Sequence, residues 1–132
     1  MPACETLHGW RVIATPAALD HLAWESTSAD SFLLRLAPDD ALVVSASRAP
    51  TVDDPHAIVE PDSGWSAWRY DEAAFEAVAA HHIEWSLPHD RPALAQGLVA
   101  GVPAKVWFAG GTVLVICASA YAAELDNRIV AL

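Results

Sequence analysis

The sequence has few basic residues and only two cysteines. Seven Lys and Arg stand against seventeen Asp and Glu in 132 residues, which gives a formal net charge of −10. Because an acidic surface repels phosphate, neither nucleic acid nor an anionic membrane surface is an expected partner. Cys4 and Cys117 lie far apart and match neither a disulfide framework nor a zinc motif. This cysteine usage indicates a reducing, cytoplasmic compartment.

A long uninterrupted hydrophobic run is missing as well. The most apolar stretch, residues 94–119, carries Gln96, Pro103 and Lys105 and is broken by several glycines. A membrane-spanning helix needs about 20 mostly apolar residues in succession, which argues against a membrane span here. The tripeptide Ala-Gly-Gly at 109–111 instead predicts a hairpin turn, because glycine accepts positive φ without steric cost. The N-terminus lacks the basic and apolar regions of a signal peptide.

Signals for strands and helices alternate along the chain. Apolar and β-branched runs bounded by turn residues predict strands at 10–14, 32–37, 41–46, 56–60, 64–70, 82–87, 94–99, 102–108 and 112–118. Helices are predicted after Thr15 with Pro16 in the first turn, after Asp71 as N-cap, and after Ser119 as N-cap.

The alternation of these strand runs with the three helices predicts an α+β fold. Strand runs separated by single helices are typical of an antiparallel sheet with helices packed on its face. The third helix would bury a stripe of Tyr121, Leu125 and Ile129, which recur every four residues. The length predicts one domain spanning residues 1–132.

The second half of the chain carries a recognisable pattern. "GWSAWRYDEAAFEAVAAHH" precedes "ALAQGLVAGVPAKVWFAGGTVLVICASAYAAELDNRI", and Ala95–Gln96, 100–103, Trp107 and 119–121 carry the likeness. From Gly64 to Ile129 the chain resembles the gamma subunit of heterotetrameric sarcosine oxidase, which shares the folate-binding fold of the glycine-cleavage T-protein. The resemblance implies that fold, no catalytic residue of its own, and a larger flavin- and folate-binding subunit as partner.

Catalytic and metal-binding motifs are not evident in the sequence. His82, Glu84 and His89 are the best candidates for a metal site, since two His and a carboxylate can hold Zn or Fe(II). The recognised metal spacings are missing, however, and a His in the last turn of a helix favours the negative end of the dipole. No metal or other cofactor is therefore expected. Cys117, in the middle of an apolar run, is predicted to be buried and inert.

The tryptophans are the strongest indication of a binding function. Trp65, Trp68, Arg69 and Tyr70 fall in one predicted strand, and exposed Trp and Tyr side chains are favoured interface anchors. Positions 65 and 68 point to opposite faces of a strand, so one is expected in the core and the other on the surface. The alternative interpretation places all tryptophans in the core.

Two functions are compatible with these observations. The first is a non-catalytic subunit that associates with itself, as a homo-oligomer, or with a larger flavoprotein. The alternative is a small enzyme or ligand-binding protein for a folate-like or other aromatic molecule. Its pocket would be lined by Trp85 and Trp107, with His82, Glu84 or Arg69 as polar contacts.

Overall fold

The computed structural model describes residues 2–26 and 30–130. Its elements are β1 (Cys4–Ile13), α1 (Pro16–Asp20), β2 (Phe32–Ala37), β3 (Asp40–Val44), β4 (Ile58–Asp71), α2 (Glu72–His82), β5 (Ala93–Val99), β6 (Val102–Phe108), β7 (Thr112–Ala118), a 3₁₀ turn (Ser119–Tyr121) and α3 (Ala122–Val130). The chain divides into two compact units. We call residues 7–63 the N-terminal unit, and residues 64–132 with 1–6 the C-terminal unit. A single domain over 1–132 stays a prediction.

The C-terminal unit is an antiparallel sheet with helices on one face. Its strand order is β4-β7-β6-β5. Trp68 of β4 lies opposite Val115 of β7, which lies opposite Val106 of β6, and all three side chains are fully buried. The side chains that cover this face from the two helices are Phe75, Val78, Leu125 and Ile129.

Helix α2 begins after the N-cap residue that the sequence predicts. The Asp71 carboxylate accepts a 2.6 Å hydrogen bond from the Ala74 N–H, which satisfies one of the unpaired donors at the start of α2. Phe75 and Val78, three residues apart, face the sheet. Among the described residues, no helix is long and apolar enough to cross a membrane.

The N-terminal unit repeats the order of strand, helix and antiparallel strand pair. In this unit β3 lies between β2 and β1, with Val43 opposite both Leu33 and Trp10. The Thr15 hydroxyl caps α1 by accepting from the Ala18 N–H at 3.3 Å. Ala18 and Leu19 of this short helix are buried in one cluster with Val12 and Ala41.

The turn between β5 and β6 is held from two sides. Ala100 and Gly101 both have positive φ, 51° and 78°, in a two-residue connection between the paired residues Val99 and Val102. The Ala100 N–H donates to the carbonyl of His82 at 2.9 Å, and Arg128 Nη1 donates to the Ala100 carbonyl at 2.7 Å. Both helices therefore hold the same turn.

The antiparallel sheet with helices on its face confirms the predicted α+β class. The strand predicted at 82–87 is wrong, because α2 extends to His82 and the residues after it form no strand. The alternation of Ile83, Trp85 and Leu87 reflects their packing against the core cluster without a backbone ladder. The predicted strand at 10–14 overlaps the longer β1 at residues 10–13. Those at 56–60 and 64–70 overlap the longer β4 at residues 58–60 and 64–70.

The start of the third helix also differs from the sequence prediction. Ser119 does not cap α3; it opens the 3₁₀ turn, and its hydroxyl lies 2.8 Å from that of buried Ser66. Leu125 and Ile129 are buried as the apolar stripe predicts, whereas Tyr121 is 49% exposed. Tyr121 lies in the 3₁₀ turn rather than in α3, so the helical period does not extend to it.

The backbone strain at Ala100 generates a stability prediction. A β-branched side chain fits poorly at φ 51°, whereas Asn tolerates this conformation. Ala100→Val is expected to lower the free energy of unfolding by about 1–3 kcal/mol, and Ala100→Asn is not, as measured by urea denaturation. Ala109→Val, beside the next hairpin turn, is the control. If Ala100→Val and Ala100→Asn lowered the free energy of unfolding equally, the cause would be a lack of space for any larger side chain rather than backbone strain at position 100.

Candidate functional site

An open, mostly apolar depression of about 440 Å³ lies on the C-terminal unit. We call it the Trp65–Tyr121 surface; its residues are Trp65, Gln96, Gly97, Leu98, Pro103, Ala104, Lys105, Ala118 and Tyr121. Leu98 is 54% exposed and Tyr121 is 49% exposed, so apolar side chains that solvent reaches lie together around this depression. Exposed aromatic and aliphatic groups around one depression are typical of an interaction surface.

Strand register brings these residues together. Trp65 lies opposite Ala118, Gln96 opposite Lys105, and Leu98 opposite Pro103. Directly opposed residues of an antiparallel strand pair point to the same face of the sheet, so the two side chains of each pair are neighbours on this surface.

Lys105 carries the positive charge of this surface. Its ammonium donates a 2.8 Å hydrogen bond to Gln96 Oε1 and lies 5.1 Å from the centre of the Trp65 ring. A cation at this distance is attracted by the negative face of an indole. The lysine and the tryptophan therefore orient each other and present one amphipathic group.

The predicted binding residues of β4 divide between its two faces. Trp68 is fully buried and Tyr70 nearly so, in the core beneath the helices. Burial, and to a lesser degree the charge of Asp126, raises the pKa of Tyr70. Trp65 is half-buried on the opposite side of the strand, with exposed Arg69, which donates to Glu5 at 3.0 Å. Solvent thus reaches Trp65 and Arg69 of the predicted set.

Trp85 lines a second cavity of about 380 Å³ in the same unit. Its indole lies against the backbone of Gly97, and its Nε1–H donates to the Leu98 carbonyl at 2.8 Å. We call this the Trp85 cavity; the other residues around it are His81, His82, Glu84, Leu98, Ala100 and Gly101. Leu98 belongs to both the cavity and the Trp65–Tyr121 surface. Trp107, the other predicted pocket residue, is half-buried on β6 between Leu94 and Leu114 in register.

The three predicted metal ligands are not brought to one place. His82 and Glu84 line the Trp85 cavity, whereas His89 lines a different cavity beside α2. In residues 2–26 and 30–130, no three His, Cys, Asp or Glu side chains are arranged to hold a metal ion. His82 Nε2 is nevertheless buried and has no hydrogen-bond partner in that part of the chain.

Cys117 and Cys4 have opposite environments. Cys117 is fully buried in β7, and burial, followed by the nearby Cys4, raises its pKa to about 11. Its thiol is therefore protonated and poorly nucleophilic at neutral pH. Cys4 is exposed at the start of β1.

No model of a known protein family matches this chain, and no curated protein matches it. The resemblance to the gamma subunit of sarcosine oxidase therefore rests on the pattern of residues from Gly64 to Ile129.

Sequence reasoning missed Leu98, Pro103 and Tyr121 as surface residues. Leu98 and Gln96 are two positions apart on β5, so they share one face, and this alternation was the available signal. Nothing comparable identifies Tyr121, because the helical period assigns it to the buried stripe. Its exposure depends on the 3₁₀ turn that precedes α3.

The close contact of Trp85 with Gly97 generates a second prediction. A Cβ at position 97 would come within 2.5 Å of Trp85 Cε2, so the indole must move and lose its bond to Leu98. Gly97→Ala should lower the free energy of unfolding by about 1–3 kcal/mol, measured by urea denaturation. In a Trp85→Ala background the same change should cost much less. If Gly97→Ala lowered the free energy of unfolding equally in the native and the Trp85→Ala backgrounds, the contact between Gly97 and Trp85 would not explain the loss.

The cysteine environments generate a third prediction. Ellman's reagent at pH 8 should modify one thiol per folded chain, that of Cys4, because Cys117 is buried and protonated. Both thiols should react after denaturation in guanidinium. A Cys4→Ser variant should show no rapid reaction when folded, and rapid modification of Cys117 in that variant would refute the assignment.

Proposed function

We propose that this chain is a non-catalytic subunit that acts by associating with another protein through the Trp65–Tyr121 surface. The observation that carries the proposal is the exposure of Leu98 and Tyr121 around one depression with Trp65. Interface hot spots are enriched in Trp and Tyr that enter a desolvated contact. Trp65, Leu98 and Tyr121 supply apolar surface area for such a contact, and Gln96 and Lys105 supply polar atoms beside it.

The shape of this surface favours a protein rather than a small substrate. It is open, and its charged group, Lys105, is already bound to Gln96 and stacked near Trp65. A stable interface covers about 800 Å² on each partner, so the depression would form the centre of a larger contact.

The identity of the partner follows from the resemblance. It implies a larger flavin- and folate-binding oxidoreductase chain in the cytoplasm, with no active-site residue contributed by this protein. The support for this assignment is the residue pattern from Gly64 to Ile129. A second copy of this chain is the other partner that the apolar surface would accept.

The Trp85 cavity supports a second candidate function, the binding of an aromatic, folate-like molecule. The specific observation is the buried His82 Nε2, which lacks a hydrogen-bond partner in the described residues. A ligand group that bonds this nitrogen and a ring that stacks on Trp85 would satisfy both side chains. Titration with folate, followed by tryptophan fluorescence, tests this function; no change in the folded protein would exclude it.

The association function is tested by charge insertion. Tyr121→Glu and Leu98→Glu place a carboxylate in the proposed contact, and each should weaken association at least about tenfold, as expected for a hot spot. Light scattering of the purified chain and affinity capture with a candidate flavoprotein measure the effect. Ile58→Glu is the control, because Ile58 is 50% exposed in the N-terminal unit. A native chain that stays monomeric and captures no flavoprotein would overturn the proposal.

A further inference from the structure

A third cavity of about 210 Å³ lies between α2 and the segment that precedes β5. We call it the α2 cavity; its residues are Glu72, Phe75, Glu76, Ala79, Leu87, Pro88, His89, Arg91, Phe108 and Val113. Four of them, at 72, 75, 76 and 79, share one face of α2. This cavity shares no residue with the Trp65–Tyr121 surface or with the Trp85 cavity.

The floor of the α2 cavity is apolar and well ordered by packing. Phe75, Phe108 and Val113 are buried, and the Phe75 and Phe108 rings meet edge to face with centroids 5.6 Å apart. Ligand sites for drug-sized molecules measure about 300–1,000 Å³. A volume below that range suits a molecule with a single ring or a branched alkyl group.

Arg91, the arginine that lines this cavity, is bound to the protein through Nε and Nη1. Arg91 Nε donates to Glu72 at 2.7 Å, and Nη1 donates to the carbonyls of Pro88 and Asp90 at 3.0 Å and 2.9 Å. Its guanidinium lies 4.3 Å from the centre of the Phe108 ring. The charges of Arg91 and Glu72 therefore offset each other.

Glu76 gives the rim its remaining negative charge. It is exposed one turn after Glu72, and it makes no ion pair within the described residues. His89 is a further titratable side chain that lines this cavity. The net charge of the whole chain, −10, adds a field that attracts cations and repels anions.

We propose that the α2 cavity binds a small apolar amine, with its ring or alkyl group on the Phe75–Phe108 floor and its ammonium at Glu76. The inference does not depend on the association function, because it uses none of the residues of the Trp65–Tyr121 surface. A carboxylate of the same size is disfavoured, since it would meet two glutamates and an arginine that is already paired.

The test compares three probes with the same ring: phenethylamine, 2-phenylethanol and 3-phenylpropanoate. Each is titrated into the ¹⁵N-labelled protein and followed by amide chemical shifts. Phenethylamine should shift residues 72–79, 87–91 and 108–113, and should bind about threefold to fivefold more tightly than the alcohol, as expected for an exposed ion pair. The carboxylate should bind most weakly.

Two variants separate the site from non-specific charge attraction. Glu76→Gln should reduce phenethylamine affinity to that of the alcohol, whereas Glu84→Gln, with the same charge change beside the Trp85 cavity, should not. Ala79→Leu should fill the cavity and abolish binding of both ligands while amide shifts distant from α2 stay unchanged. Equal binding of amine and alcohol, equal effects of both glutamine variants, or shifts confined to other residues would overturn the proposal.

Discussion

The two-sided attachment of the β5–β6 turn is the constraint on which the C-terminal unit depends. The carbonyl of the last residue of α2 accepts from the Ala100 N–H, and Arg128 of α3 donates to the Ala100 carbonyl. One turn thus fixes both helices against one hairpin. Gly101 has a φ of +78°, and a Cβ there would lie 2.7 Å from Arg128 Nη1, so a side chain would strain the backbone and displace the guanidinium.

The candidate sites follow from the register that this turn imposes on β5. Gly97 then lies under the Trp85 indole. The carbonyl of the next residue, Leu98, accepts a hydrogen bond from the indole N–H, while the Leu98 side chain is exposed to solvent. Leu98 is therefore shared by the Trp65–Tyr121 surface and the Trp85 cavity.

The ion pairs of this chain orient side chains more than they stabilise the fold. Each of the seven basic side chains is bound to a side-chain oxygen: six arginines pair with carboxylates, and Lys105 binds the amide of Gln96. Exposed pairs of this kind contribute about 0–1 kcal/mol each. Their consequence is that the surplus carboxylates, such as Glu76, decide the sign of the field around the cavities.

The sequence by itself determined the α+β class, the strands from 94 to 118, the N-cap of α2 and the burial of Cys117, because these depend on local periodicity and turn chemistry. The tertiary structure decided the rest. Trp85 lies in a segment where apolar and polar residues alternate as in a strand, but that segment is a loop. The Trp85 indole packs on Gly97, which is twelve residues later in the sequence. Tyr121 is exposed in the 3₁₀ turn that precedes α3, and the first residue of that turn, Ser119, pairs its hydroxyl with that of Ser66 on β4. Such contacts join residues that no local pattern relates.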